Sequence, residues 1–132
     1  MEDTIEVKIY YEDTDCGGVV YYGKYLTYLE WARTHYLEKR QISISKLMEE
    51  GIFFVVIHVD INYRKPVKYG EMLTVTTDIG AITKTTITFQ HSIFNKKENA
   101  LVAISSVQLA CVKGNSMRPV RLKEEITEAL KK

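Results

Sequence analysis

At 132 residues, with 45% hydrophobic and 27% charged positions, the chain is long enough to bury one core and too short for two ordinary ones. It therefore reads as a single domain over 1–132 with no disordered tract. A net charge of +1, with no basic run, lacks the electrostatic footprint of a nucleic-acid binder. The opening MEDTIEVK has neither the cationic nor the apolar region of an export signal. The longest apolar run, Ile52 to Ile57, falls far short of the roughly 20 residues that span a bilayer. Cys16 and Cys111 share no paired spacing, which argues against a disulfide framework or a zinc site and for a reducing cytoplasm.

Residues 4–11 alternate, with Ile5, Val7, Ile9 and Tyr11 on one side, and predict a half-buried first strand. Glu12 to Gly18 is rich in Asp and Gly and predicts a loop. From about Tyr22 to Arg40 the period becomes helical. Tyr25, Leu29, Ala32 and Tyr36 form one stripe, and Leu26, Arg33 and Leu37 lie beside it. At about 1.5 Å per residue this longest helix would run nearly 30 Å, enough to cross the domain. A short second helix over Ser45 to Glu50 has Ser43 or Ser45 to cap it and Gly51 to stop it.

The rest reads as strand. Val55, Ile57, Val59, Ile61 and Tyr63 alternate against Phe54, Val56, His58, Asp60 and Asn62, and the run ends before Pro66. Three more strands follow, Leu73 to Ile79, Thr85 to Phe94 and Leu101 to Val112. Gly80 and Asn95 to Asn99 supply short links suited to hairpins. In the last ten or so residues Leu122, Ile126 and Leu130 share a face. Glu124 and Glu125 lie near the start of this terminal helix and Lys131 and Lys132 at its end, as the dipole favours. A five-stranded antiparallel sheet with one apolar face must cover that face, and the long helix is the element large enough to do so. The expected class is α+β, a sheet wrapped around a central helix.

The densest polar cluster, Glu12-Asp13-Thr14-Asp15, is followed by Cys16-Gly17-Gly18 and Val19-Val20-Tyr21-Tyr22-Gly23, and it leads into that helix. Acids ahead of a helix start lie close to free N–H groups and the positive end of a dipole, a setting for an anion or oxyanion site. Helix capping and turn formation account for the same residues, and composition does not choose between the two.

The stretch Tyr11-Glu12-Asp13-Thr14-Asp15-Cys16-Gly17-Gly18-Val19-Val20-Tyr21-Tyr22-Gly23-Lys24-Tyr25-Leu26, with Glu30-Trp31-Ala32-Arg33 after it, resembles hotdog-fold acyl-CoA thioesterases of the YbgC and 4-hydroxybenzoyl-CoA thioesterase group. Asn62-Tyr63-Arg64-Lys65-Pro66-Val67 is similar to that group's strand-ending basic-proline segment. The resemblance implies the hotdog fold and hydrolysis of acyl-CoA or acyl-carrier-protein thioesters. It implies Asp15 as the catalytic carboxylate, either nucleophile or general base. The backbone N–H of Tyr22 would polarise the carbonyl, with Asp13 and Gly18 in support. Tyr21, Arg64 and Lys65 are candidates for substrate binding, and no cofactor or metal is called for. Many YbgC-like members carry a histidine where this chain has Tyr22, so that imidazole's role is missing here, as in the aryl-CoA branch. Subunits of the group close their sites between them, which implies a homodimer or homotetramer. A non-catalytic acyl-CoA or acyl-carrier-protein binding subunit is the alternative function.

Other residues are weighed on their own chemistry. Cys16 next to the acid invites a nucleophile reading, but no histidine is near in sequence to generate its thiolate. His35, His58 and His91 lack metal-ligand spacing and read as packing or surface residues. Their distance from the Asp15 loop disfavours a dehydratase, which needs a histidine base. Glu30 and Arg33, three apart on the helix, suit a local salt bridge, the favoured reading, or a part in shaping the site. Lys84, Lys113, Arg118 and Arg121 join Arg64 and Lys65 as cations able to hold coenzyme A phosphates.

Overall fold

The computed structural model describes residues 2–131. In chain order it contains β1 (Asp3–Lys8), a 3₁₀ turn (Tyr11–Asp13), α1 (Lys24–Lys39), α2 (Ile44–Glu49) and β2 (Ile52–Tyr63). These are followed by β3 (Met72–Ile82), β4 (Thr86–Asn95), β5 (Ala100–Lys113), β6 (Arg118–Pro119) and α3 (Glu124–Lys131). The strands form one antiparallel sheet in the order β1-β3-β4-β5-β2, with the two-residue β6 paired to β5. The five long strands and the helix they curl around are the hotdog arrangement that was expected; β6 was not anticipated. From α1, Tyr25, Tyr28, Leu29, Ala32, Tyr36 and Leu37 are buried against Leu73, Val75, Phe89 and Ile93 of the sheet. Leu26, expected beside that stripe, is instead 46% exposed. Among the described residues no helix is long and apolar enough to cross a membrane.

β3, β4 and β5 are joined by hairpins, but β2 lies on the far edge from β3. Residues 64–71, at up to about 3.3 Å each, easily cross the roughly 14 Å of three inter-strand spacings. Two local breaks in alternation alter the expected faces. In β2 a bulge at Ile57 puts Phe54 and Val56 on the same face as Val59 and Ile61, opposite Cys111, Leu109, Val107 and Ser105. The extra residue reverses the phase, so Val55 and Ile57 do not share a face with Val59. In β3 Gly80 is a bulge inside the strand and not the link to β4. The turn comes later, where Thr83 N–H donates to the Thr86 carbonyl and Thr86 N–H to the Thr83 hydroxyl.

β1 ends at Lys8, before the residue expected, because the Tyr10 N–H donates to the Asp13 carboxylate at 2.8 Å and draws the chain into the 3₁₀ turn. Tyr11 is left 79% exposed in place of its expected inward position. At the other end Leu122, Ile126 and Leu130 are buried as a face of α3. An ion pair from Lys123 to Glu50 ties α3 to the end of α2. Lys132, expected to end α3, lies outside the described residues.

Candidate active site

Asp15 is at the tip of a loop that is closed on itself and pinned to the body. Its N–H donates to the Val19 carbonyl at 3.0 Å, its carbonyl accepts from Gly18 N–H at 3.0 Å, and Thr14 bridges to Val20. Gly18 has φ of +80°, a backbone region that favours glycine, which explains its place at the tightest point of the turn. Val20 N–H donates to Val67 O at 2.8 Å, and both side chains are buried. The segment after Pro66 is therefore the anchor for the loop.

The two acids differ in environment. Asp13 is 5% exposed; Oδ2 accepts from Tyr10 N–H, and Oδ1 pairs with Lys24 Nζ at 3.1 Å. Asp15 is exposed, Oδ1 accepts from Gly17 N–H at 2.9 Å, and Oδ2 has no partner among the described residues. Beside Asp13 the Tyr28 hydroxyl is buried, with no hydrogen bond of normal geometry among the described residues. Burial first, and the Asp13 charge second, raise its pKa above that of an ordinary tyrosine.

The start of α1 follows directly. Gly23 at the N-cap supplies no side-chain acceptor, and among the described residues the Tyr22 N–H donates to no backbone carbonyl. The Tyr22 carbonyl accepts from the Tyr63 hydroxyl at 3.0 Å, which joins the helix start to the end of β2. Tyr21 and Tyr22 are exposed and pack ring to ring at 4.7 Å between centroids. Arg64 and Lys65, just past β2, are exposed; Arg64 Nε donates to Asn62. An exposed carboxylate oxygen, exposed aromatic rings and an uncapped helix start thus lie within residues 15–24, and Tyr63 ties that stretch to the end of β2. Such an arrangement can polarise an ester-like carbonyl and deliver a base or nucleophile to it.

A groove runs from this end along α1, between the helix and β2. Leu26, Thr27, Val56, Val59 and Val107 line a cavity of about 380 Å³ nearest the helix start. A second of about 370 Å³ continues past Thr34, Leu37, Leu47 and Phe54. Glu30 and Arg33 belong to both cavities, and Asp15 lines neither. The expected salt bridge between Glu30 and Arg33 does not form: the exposed Glu30 accepts from the Thr34 hydroxyl, while Arg33 is 8% exposed.

The remaining candidates are dispersed. His35 and His58 are exposed, and Cys16 is exposed with no bridge. His91 is fully buried; Nδ1 meets the Thr77 hydroxyl at 3.1 Å, and Nε2 is unpartnered. Burial, followed by the charge of Arg33, lowers its pKa to about 4. Thr77, His91 and Ser105 face one another on adjacent strands as a polar row within the core. Sequence reading passed over this row, although Ile87, Phe89, His91 and Ile93 alternate in step and place His91 inward. Lys113 Nζ donates to the Glu50 carbonyl, away from the Asp15 loop.

Comparison with known proteins agrees with this architecture. The Thioesterase superfamily model matches residues 17–102, a stretch that begins two residues after Asp15. The Acyl-CoA thioester hydrolase YbgC of Escherichia coli is 37% identical over 125 residues, covering 95% of this chain and 92% of that protein. A DHNA-CoA thioesterase structure from Staphylococcus aureus superposes with a TM-score of 0.93 at 30% identity, covering 97% of this chain and 87% of that one. A 4-hydroxybenzoyl CoA thioesterase mutant solved with 4-hydroxybenzoyl CoA shares the fold, with a TM-score of 0.89 at 18% identity and 98% of each chain covered. With a matched family model and a relative this similar along nearly its whole length, the chain belongs to the Thioesterase superfamily, among its YbgC-like hotdog proteins.

Proposed function

We propose that this thioester hydrolase acts on acyl-CoA, with Asp15 as its catalytic carboxylate and the Tyr22 N–H as the donor to the thioester oxygen. The observation that carries the reading is the unpartnered Oδ2 of Asp15, ahead of a helix start with no capping side chain. The thioester carbonyl would lie against the N-terminus of α1, its oxygen accepting from Tyr22. The acyl group would enter the groove between α1 and β2. Asp15 either attacks the carbonyl carbon, giving a mixed anhydride that water then opens, or removes a proton from the attacking water. In both routes the negative charge on the oxygen peaks in the tetrahedral state, where a fixed N–H donor and the helix dipole stabilise it most. The C–S bond then breaks, and the departing thiolate of coenzyme A is protonated.

Asp13 supports the loop through Tyr10 and Lys24, and Gly18 supports it through its backbone angle. Tyr21 offers a ring to the substrate, and Arg64 and Lys65 offer charge to its phosphates. Acyl carrier protein is the second carrier to test. One domain is sufficient for these tasks, and two unbridged cysteines suit a reducing cytoplasm. A panel of short, long and aromatic acyl-CoA thioesters, followed by thiol release, tests the proposal. Asp15→Asn is expected to lower kcat/KM by at least about a hundredfold while the protein stays folded. A folded Asp15→Asn variant with full activity, or a wild type that hydrolyses none of the panel, would refute it. In the second case tight binding without turnover would favour an acyl-CoA binding subunit.

A further inference from the structure

The bulge at Ile57 puts Phe54, Val56 and Val59 of β2 on one face, and all three line the groove beside α1. On the helix side the cavity near the start of α1 is bounded by Leu26, Thr27, Glu30 and Arg33, and the one beyond it by Glu30, Arg33, Thr34 and Leu37. Because Glu30, Arg33 and Val56 belong to both, the two are chambers in line along the helix. The distal chamber ends against α2, at Ile44, Leu47 and Met48. The charged pair at the junction does not block the way. Glu30 is exposed and accepts from the Thr34 hydroxyl, and no Arg33 nitrogen is among the buried unpartnered atoms of the described residues. Burial lowers the Arg33 pKa, and the Glu30 charge opposes that shift. Arg33 thus turns its methylene stem to the groove and its charge to water. In the proximal chamber Leu26 and Val56 are 46% and 50% exposed, apolar surface that a hydrophobic occupant would cover.

We propose that the two chambers form one acyl channel, which selects long unbranched acyl groups of about 14–18 carbons over short or aromatic ones. This rests on the reading that the thioester is held at the start of α1 with its acyl group in the groove. From Tyr22 the helix rises about 16 Å to Arg33, where the chambers join, and about 22 Å to Leu37. An extended backbone advances about 3.3–3.6 Å over three bonds, so a zigzag alkyl chain gains about 1.2 Å per carbon. An acyl group of about eight carbons, or a single aromatic ring, therefore ends in the proximal chamber and leaves the distal one unfilled. Reaching Leu37 takes about 18 carbons by the same measure. Each methylene withdrawn from water along the way is worth up to about fourfold in affinity.

Stable S-alkyl thioethers of coenzyme A test the proposal without depending on hydrolysis. A series from butyl to octadecyl, with a benzyl member, is titrated calorimetrically below micelle formation into wild type, Thr34→Trp and Met48→Trp. Wild-type affinity is expected to rise about two- to fourfold per methylene and to keep rising beyond tetradecyl. Thr34 lines the distal chamber alone, so Thr34→Trp is expected to match wild type up to about dodecyl and to gain nothing from longer chains. Met48 is 53% exposed, so Met48→Trp narrows the same chamber without entering the core and is expected to shorten the preferred chain as well. A wild-type plateau by decyl, benzyl bound more tightly than hexadecyl, or a length profile unchanged in both folded variants overturns the proposal. A protein that selects long thioethers but leaves every thioester intact would refute the hydrolase reading alone. Hydrolysis of thioesters with a kcat/KM that stops rising at octanoyl would refute this inference alone.

Discussion

Asp13 and Asp15 are two residues apart and chemically unlike because of what each touches. Asp13 is enclosed by a backbone N–H and Lys24, so its removal leaves Tyr10 N–H and a half-buried ammonium without an acceptor. Asp13→Ala is expected to destabilise the fold by about 1–3 kcal/mol, read as a lower urea midpoint. Asp15→Asn should leave that midpoint close to wild type, since the carboxylate's one hydrogen bond among the described residues is from Gly17 N–H, which an amide oxygen can still accept. His91 makes a different kind of prediction. Held neutral by burial, it keeps a pKa of about 4 when folded and regains one near 6.5 when unfolded. Between those values the unfolded chain binds a proton that the native protein refuses, so stability is lost as pH falls through that window. The loss amounts to on the order of 3 kcal/mol by pH 4. Urea titrations at pH 7 and pH 4.5 should show a smaller acid loss in His91→Phe than in wild type. Equal losses would remove His91 as the cause.

At the scale of elements, legibility followed periodicity. α1, α3 and the central strands were readable because their apolar positions repeat at the spacing of the element that buries them. Two features were not, because one extra residue reverses a period of two without leaving a compositional mark: the bulge at Ile57 and the bulge at Gly80. The end of β1 was missed for another reason, a side-chain carboxylate three residues ahead that competes for the backbone. The candidate site was legible in part. Its acids stand in one short motif, whereas the groove arises from the approach of β2 to α1, which no local pattern encodes. α2 gives a check on the termination rule that sequence supplied. Gly51 follows its last turn at φ of +77°, and Gly51→Ala is expected to cost about 1 kcal/mol in chemical denaturation.

For the whole molecule the informative surface is β2. It pairs with β5 along one side only, and Val56, Ile57 and Val59 are 50%, 53% and 38% exposed. An edge of twelve residues with apolar side chains on both faces is a template for another strand, and soluble proteins usually protect such edges with charge or cover. Here Asp60 is the one Asp, Glu, Lys or Arg between Ile52 and Tyr63. With a chain net charge of +1, little long-range repulsion opposes association of two copies. The covering partner argued by this edge is a second copy of the chain, which would also close the open side of the groove between α1 and β2. Light scattering is therefore expected to give at least twice the 15.3 kDa chain mass. Ile57→Lys places a cation on the exposed face without entering the core, so it should shift the species toward monomer while circular dichroism stays native. If the groove binds the acyl group and the partner closes it, the same variant should also raise KM more than it lowers kcat, since Asp15 and Tyr22 lie on another part of the chain. A monomeric wild type, or an Ile57→Lys protein with unchanged mass and KM, would show that β2 is not the contact surface.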